Sequence, residues 1–144
     1  MEAGAKRLAQ VILGASHLAQ SAIPPLLCRS NPKLGLWKET LRQTLERQAN
    51  FLCRKLEACQ GLRGAVQPQG AMYAMVEIDT DILNIGDDLE FSGKLLEEEN
   101  VFVLPGSAFG FPNMFRVVFC SAEPLLEEAG DRIARFCNNR RSKK

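Results

Sequence analysis

With a single histidine, His17, and no Cys-x-x-Cys pair, this 144-residue chain lacks the ligand sets that hold transition metals. Its five cysteines, Cys28, Cys53, Cys59, Cys120 and Cys137, are odd in number and widely spaced, so reduced and mostly buried thiols are expected. Excess charge is also absent. At a formal net charge of +1 no long-range field draws nucleic acid or an acidic surface, and the one basic cluster, Arg135, Arg140, Arg141, Lys143 and Lys144, reads as a solvated tail. No apolar run approaches the ~18 residues that span a bilayer. Lys6 to Ile23 imitates a secretion signal, yet Gln10, His17 and Gln20 interrupt it. A buried helix is expected there, and the cytosol or the mitochondrial matrix as the location. The glycines form neither Gly-x-Gly-x-x-Gly nor Gly-Lys-Ser/Thr, which removes the usual nucleotide cradles. Ser16 and His17, merely adjacent, make no nucleophile and base pair.

What is present is enough apolar content, 46%, for a domain with a core. Leu8, Val11, Ile12, Ala15, Leu18, Ala19 and Ala22 recur at helical steps, and Pro24-Pro25 is expected to break or end that helix. Asn31 followed by Pro32 predicts a capped second helix with an inward face of Leu34, Trp37, Leu41, Leu45, Leu52 and Leu56. Gly61 and Gly64 end it. Alternation over Ala71 to Ile78 predicts a strand, Asp79 to Asp88 a polar loop, and Asp87 or Asp88 the cap of a helix through Phe91, Leu95 and Leu96. Glu97-Glu98-Glu99 reads as a solvated patch. Two short strands, Val101 to Leu104 and Met114 to Cys120, bracket a Gly/Pro-rich loop, and a last helix begins at Glu123-Pro124 with Leu125, Leu126, Ala129, Ile133 and Phe136 inward. The order helix, helix, strand, helix, strand, strand, helix predicts an α/β or α+β layer structure.

Arg116 stands alone in the apolar run Met114-Phe115-Arg116-Val117-Val118-Phe119-Cys120. Isolating a guanidinium from water costs several kcal/mol, so it must meet an acid, reach a wet edge or await an anionic ligand. Glu77, Asp79 or a more distant acid could be its partner. Alternatively, its planar fork offers two parallel hydrogen bonds to a carboxylate, a geometry lysine does not provide.

Four segments carry a resemblance: Pro68-Gln69-Gly70-Ala71-Met72-Tyr73, Leu95-Leu96-Glu97-Glu98-Glu99-Asn100-Val101, Leu104-Pro105-Gly106-Ser107-Ala108-Phe109 and Phe115-Arg116-Val117-Val118. In that order they resemble the C-terminal third of class I (fold-type I) pyridoxal-phosphate aminotransferases, most nearly the branch acting on tyrosine. The resemblance implies a small C-terminal substrate-binding domain over residues 31–144, with 1–30 a helix leading from a large cofactor domain. It implies that Arg116 holds the α-carboxylate of an amino acid or 2-oxo acid. The full enzyme would be a homodimer that moves an amino group from tyrosine or a similar amino acid to 2-oxoglutarate.

Such enzymes bind pyridoxal 5'-phosphate as a Schiff base with a lysine. None of Lys6, Lys33, Lys38, Lys55, Lys94, Lys143 and Lys144 matches that motif, so the chain is expected to be a fragment, inactive alone, with no catalytic or cofactor-binding residue of its own. Two departures from the family pattern stand out: Pro24-Pro25 interrupts a smooth helix, and His17 replaces a small hydroxylated residue near the subunit contact. The alternative is a non-catalytic α/β module that binds carboxylates or a partner.

Overall fold

The computed structural model describes residues 2–11, 14–28, 31–64 and 67–140. Ile12 of the first apolar face, and Arg141, Lys143 and Lys144 of the basic tail, lie outside them. The chain divides into two compact units, Met1–Leu41 and Arg42–Lys144.

In the first unit, α1 (Glu2–Val11) and α2 (His17–Leu27) replace the single helix expected there. The break comes at Gly14, whose φ of 141° is open chiefly to glycine, and not at Pro24-Pro25, which stay inside α2. Each proline forgoes the bond to the carbonyl four residues earlier, at Gln20 and Ser21, so α2 runs through them short of two helix hydrogen bonds. Neither helix buries a residue, so the buried helix expected here is an exposed one: among the described residues of the unit nothing covers Leu8, Val11, Leu18 or Ile23. His17 is exposed on the first turn of α2.

The cap at Asn31 forms as expected. Its side-chain oxygen accepts from the N–H of Lys33 at 3.1 Å and of Leu34 at 3.4 Å, opening α3 (Pro32–Glu57). Trp37 and Leu41, expected inward, are 60% and 41% exposed; the buried stripe is Gln48, Ala49, Leu52, Cys53 and Leu56. Only that second half belongs to the unit that has a core.

There the sheet is four-stranded and wholly antiparallel, ordered β1 (Leu62–Arg63), β2 (Tyr73–Ile78), β4 (Met114–Val118), β3 (Leu104–Pro105). The two-residue β1 was not foreseen, and β3 is shorter and later than expected because Val101 and Val103 enter the core without strand pairing. Alternation places Ala74, Val76, Ile78, Phe115 and Val117 on one face, all buried.

Against that face pack α3, α5 (Asp88–Glu99) and α6 (Glu123–Arg140), through Leu52, Leu56, Phe91, Leu95, Leu126, Ile133 and Phe136. Phe91 stacks on Phe115 at 4.9 Å between centroids and meets Phe136 edge-on at 5.3 Å. Each such ring stabilises the fold by about 1.5–3 kcal/mol on burial. Leu125, expected inward, is 58% exposed, one position off the stripe that Leu126 begins. The result is a two-layer arrangement of mixed helix and small antiparallel sheet, as the sequence implied.

The stretch after β2 is not all loop, because Asp79 caps a short α4 (Thr80–Leu83), accepting from the Ile82 N–H at 3.1 Å. Glu97-Glu98-Glu99 is no uniform solvated patch either. Glu99 is buried and takes a two-pronged contact from Arg135, with Nε at 3.0 Å from both carboxylate oxygens, and Glu98 pairs with Arg140. Arg135 and Arg140 therefore belong to α6 and its ion pairs, not to a free tail.

No disulfide joins any of the five cysteines, all among the described residues; Cys53, Cys59 and Cys137 are buried and Cys28 and Cys120 exposed. No group of residues suited to a metal ion occurs among the described residues. No described helix is long and apolar enough to cross a membrane.

Candidate functional site

The face of the sheet away from the helices carries Tyr73 and Met75 from β2 beside Met114, Arg116 and Val118 from β4. Arg116 sits at its centre, paired in register with Met75 on one side and Leu104 on the other. It is half-buried, not enclosed: the strand is buried on its Phe115 and Val117 face only.

Two aromatic rings hold the guanidinium. Its Cζ is 4.1 Å from the Phe109 centroid and 4.9 Å from that of Tyr73. Such cation–ring contacts contribute about 0.5–2 kcal/mol each and fix the plane of the fork without using its N–H donors. Nε is buried and has no hydrogen-bond partner. No hydrogen bond or ion pair reaches the Arg116 side chain among the described residues. Asp79, one of the acids considered for it, is taken by Arg63 at 2.5 Å. The Ile82 N–H, with Arg63 adding to it, outweighs burial and holds the Asp79 carboxyl below the usual carboxylate range.

Each aromatic clamp is delivered by a built turn. Tyr73 begins β2 two residues after Ala71, whose φ of 61° is a strained value for a residue with a Cβ. Phe109 closes a 3-10 turn, Gly106–Phe109, between β3 and β4. Gly106 is buried there, and a Cβ on it would strike the carbonyl oxygens of Phe111 and Met114. A shallow, largely apolar hollow of about 360 Å³, lined by Pro68, Tyr73, Met75, Phe111 and Met114 among others, adjoins this face. Tyr73 and Phe109 lie inside motifs legible in the sequence, though the motifs themselves give neither ring a role. Strand alternation could have placed Tyr73 on the Arg116 face; nothing local could have placed Phe109 there.

The family model for aminotransferase class I and II matches residues 2–133. The chain belongs to the class I and II aminotransferases.

Tyrosine aminotransferase of Dictyostelium discoideum is 44% identical over 137 residues, which cover 94% of this chain and 33% of that protein. Bos taurus tyrosine aminotransferase is 38% identical over 135 residues, covering 93% and 29%. Among solved structures, tyrosine aminotransferase from Leishmania infantum superposes with a TM-score of 0.82 at 33% identity, over 97% of this chain and 34% of that one. Alanine aminotransferase from Pyrococcus furiosus follows with a TM-score of 0.75 at 30% identity, over 93% and 33%. The chain thus spans about a third of the length of these relatives.

The family is one of pyridoxal-phosphate enzymes, and the cofactor supplies the electron sink that labilises bonds at the amino-bearing carbon. Two described lysines, Lys55 and Lys94, share the unit of Arg116. Lys55 pairs with Asp131 at 2.8 Å and Lys94 with Glu90, so both lysines are committed to carboxylates on helices. What this face of the aminotransferase fold does offer is a cationic fork with no acid on it.

Proposed function

We propose that this chain is the substrate-binding portion of a tyrosine-type aminotransferase, with Arg116 gripping the α-carboxylate of an amino acid or 2-oxo acid. The full enzyme would pass the amino group of tyrosine or a similar amino acid to 2-oxoglutarate, as a homodimer in the cytosol or mitochondrial matrix. One observation supports this above the rest: a half-buried guanidinium, oriented by Tyr73 and Phe109, that no carboxylate of the described residues touches. Leaving a charge so placed costs stability unless a ligand completes it. The work of these residues is binding and orientation. The fork fixes the plane of the carboxylate, and the apolar surroundings strengthen that ion pair by thinning the water around it.

Calorimetric titration of the chain with aromatic amino acids and their 2-oxo acids tests this. Saturable binding that disappears in Arg116→Ala is expected; binding of equal strength in the variant would refute the assignment. Mixed with pyridoxal phosphate, the chain alone should give no visible-absorbing lysine adduct and no transamination. Turnover by the 144 residues would show that no further part is required.

A non-catalytic carboxylate-binding module is the second reading, favoured by the self-contained core of Arg42–Lys144. It predicts that binding persists with no enhancement when the remainder of an aminotransferase is supplied in trans.

A further inference from the structure

Asp88, the first residue of α5, is 2% exposed and takes part in none of the contacts to Arg116 described above. Its neighbour Asp87 already caps the helix, accepting from the Glu90 N–H at 2.8 Å, so Asp88 is free for another task. Both of its carboxylate oxygens turn to the loop between β3 and β4. Oδ2 accepts from the Ser107 N–H at 2.8 Å, and Oδ1 from the Asn113 N–H at 3.2 Å. Burial would push such a carboxyl up, but these two N–H groups and the Ser107 hydroxyl overcome it and keep the group below its ordinary range. One anion thus bridges two points of the loop six residues apart, and Phe109 lies between them.

We propose that Asp88 is a positioning residue for Arg116: its carboxylate pins the loop at Ser107 and Asn113 so that the Phe109 ring stays over the guanidinium. The significance of this for catalysis rests on Arg116 binding the substrate carboxylate; the geometric coupling does not. The far end of the clamped loop also leads into the sheet, since the Asn113 carbonyl accepts from the Ile78 N–H at 2.9 Å and β4 begins at the next residue. A carboxylate is needed because two N–H donors converge on it. An amide of the same shape would present one acceptor and turn an NH2 group against the other donor.

The test reads the Arg116 Nε–H resonance of the full chain by nitrogen–proton correlation spectroscopy, with Phe109→Leu marking its position when the ring is gone. In Asp88→Asn the resonance should move most of the way to the Phe109→Leu position, and hydrogen exchange at Ser107 and Asn113 should quicken about tenfold or more, as for one lost charge-assisted bond. Ser107→Ala, which keeps the backbone donor, should leave the resonance close to wild type. An unmoved Arg116 signal in a folded Asp88→Asn protein overturns the proposal.

A measurement on the unaltered chain covers the case in which Asp88→Asn does not fold. If Asp88 clamps the loop, the Ser107 and Asn113 amides and the Arg116 Nε–H should share one opening reaction and be protected to within about threefold of one another. Protection of the two amides differing by more than about tenfold would overturn the clamp. Carboxylate titration of the wild-type chain reports separately on Arg116 as a binding group, so either idea can fail alone.

Discussion

The Arg116 guanidinium lies 4.1 Å from the Phe109 ring while its buried Nε donates to nothing. A side chain held in place by ring contacts and not by an acid should be replaceable without disturbing a salt bridge. Arg116→Met removes two ring contacts worth about 0.5–2 kcal/mol each and, with them, the cost of an unmatched half-buried charge; the two offset and no partner is orphaned, so the unfolding free energy is expected to change by less than about 2 kcal/mol. A loss of about 3 kcal/mol or more in denaturant titrations would reveal a hidden acid partner. Arg116→Lys should keep the charge but weaken carboxylate binding at least tenfold, since the two-pronged geometry is gone.

Gly106 offers a second test, of the loop. A methyl group there meets the carbonyl oxygens of Phe111 and Met114, both backbone atoms that cannot swing aside. Gly106→Ala should cost about 1–3 kcal/mol of stability and shift Phe109 resonances. Gly110→Ala meets no atom but carries a φ of 81°, so it should destabilise through backbone strain alone, by about 1 kcal/mol.

Acid stability should depend on Glu99. Hydrogen bonds from Arg135 hold its carboxyl below the ordinary value, so the folded form binds a proton less readily than the unfolded one. The stabilising contribution is complete above the unfolded value, near 4.3, and is lost as pH falls through the lower folded value. Melting curves of Glu99→Gln should show a shallower decline on acidification than wild type. Identical slopes would mean that the Arg135 contact is not maintained in solution.

Thiol reactivity should separate the cysteines by burial. Burial, with the neighbouring Cys59 adding to it, pushes the Cys137 thiol up to about 12, and burial raises Cys53 and Cys59 as well. Alkylation at neutral pH should label Cys28 and Cys120 promptly and reach the other three only on unfolding. Mass spectrometry of a timed reaction checks the order.

Local chemistry was legible wherever neighbours in sequence settle it. The Asn31 and Asp87 caps need only residues two or three places on, and the alternation of β2 needs only the pleat. Glu99 shows the opposite case. Its partner Arg135 is 36 residues away, and a run of three glutamates near the end of a helix looks solvated until another helix is laid against it. The exposed Trp37 and Leu41 mark a similar limit, since helical spacing shows that an apolar face exists but not where in the chain its cover lies.

By itself, then, the sequence determined that one arginine would interrupt an apolar strand beside a Gly/Pro-rich loop, because those facts follow from residue type and spacing. Tertiary structure alone decided that Asp79 would go to Arg63, that Phe109 would cover Arg116 and that Asp88 would reach Ser107 and Asn113. Each of those choices joins groups between 7 and 25 positions apart. Hydrogen bonds and ring contacts of that kind depend on ångström-scale placement, which only the packed core and the strand register supply.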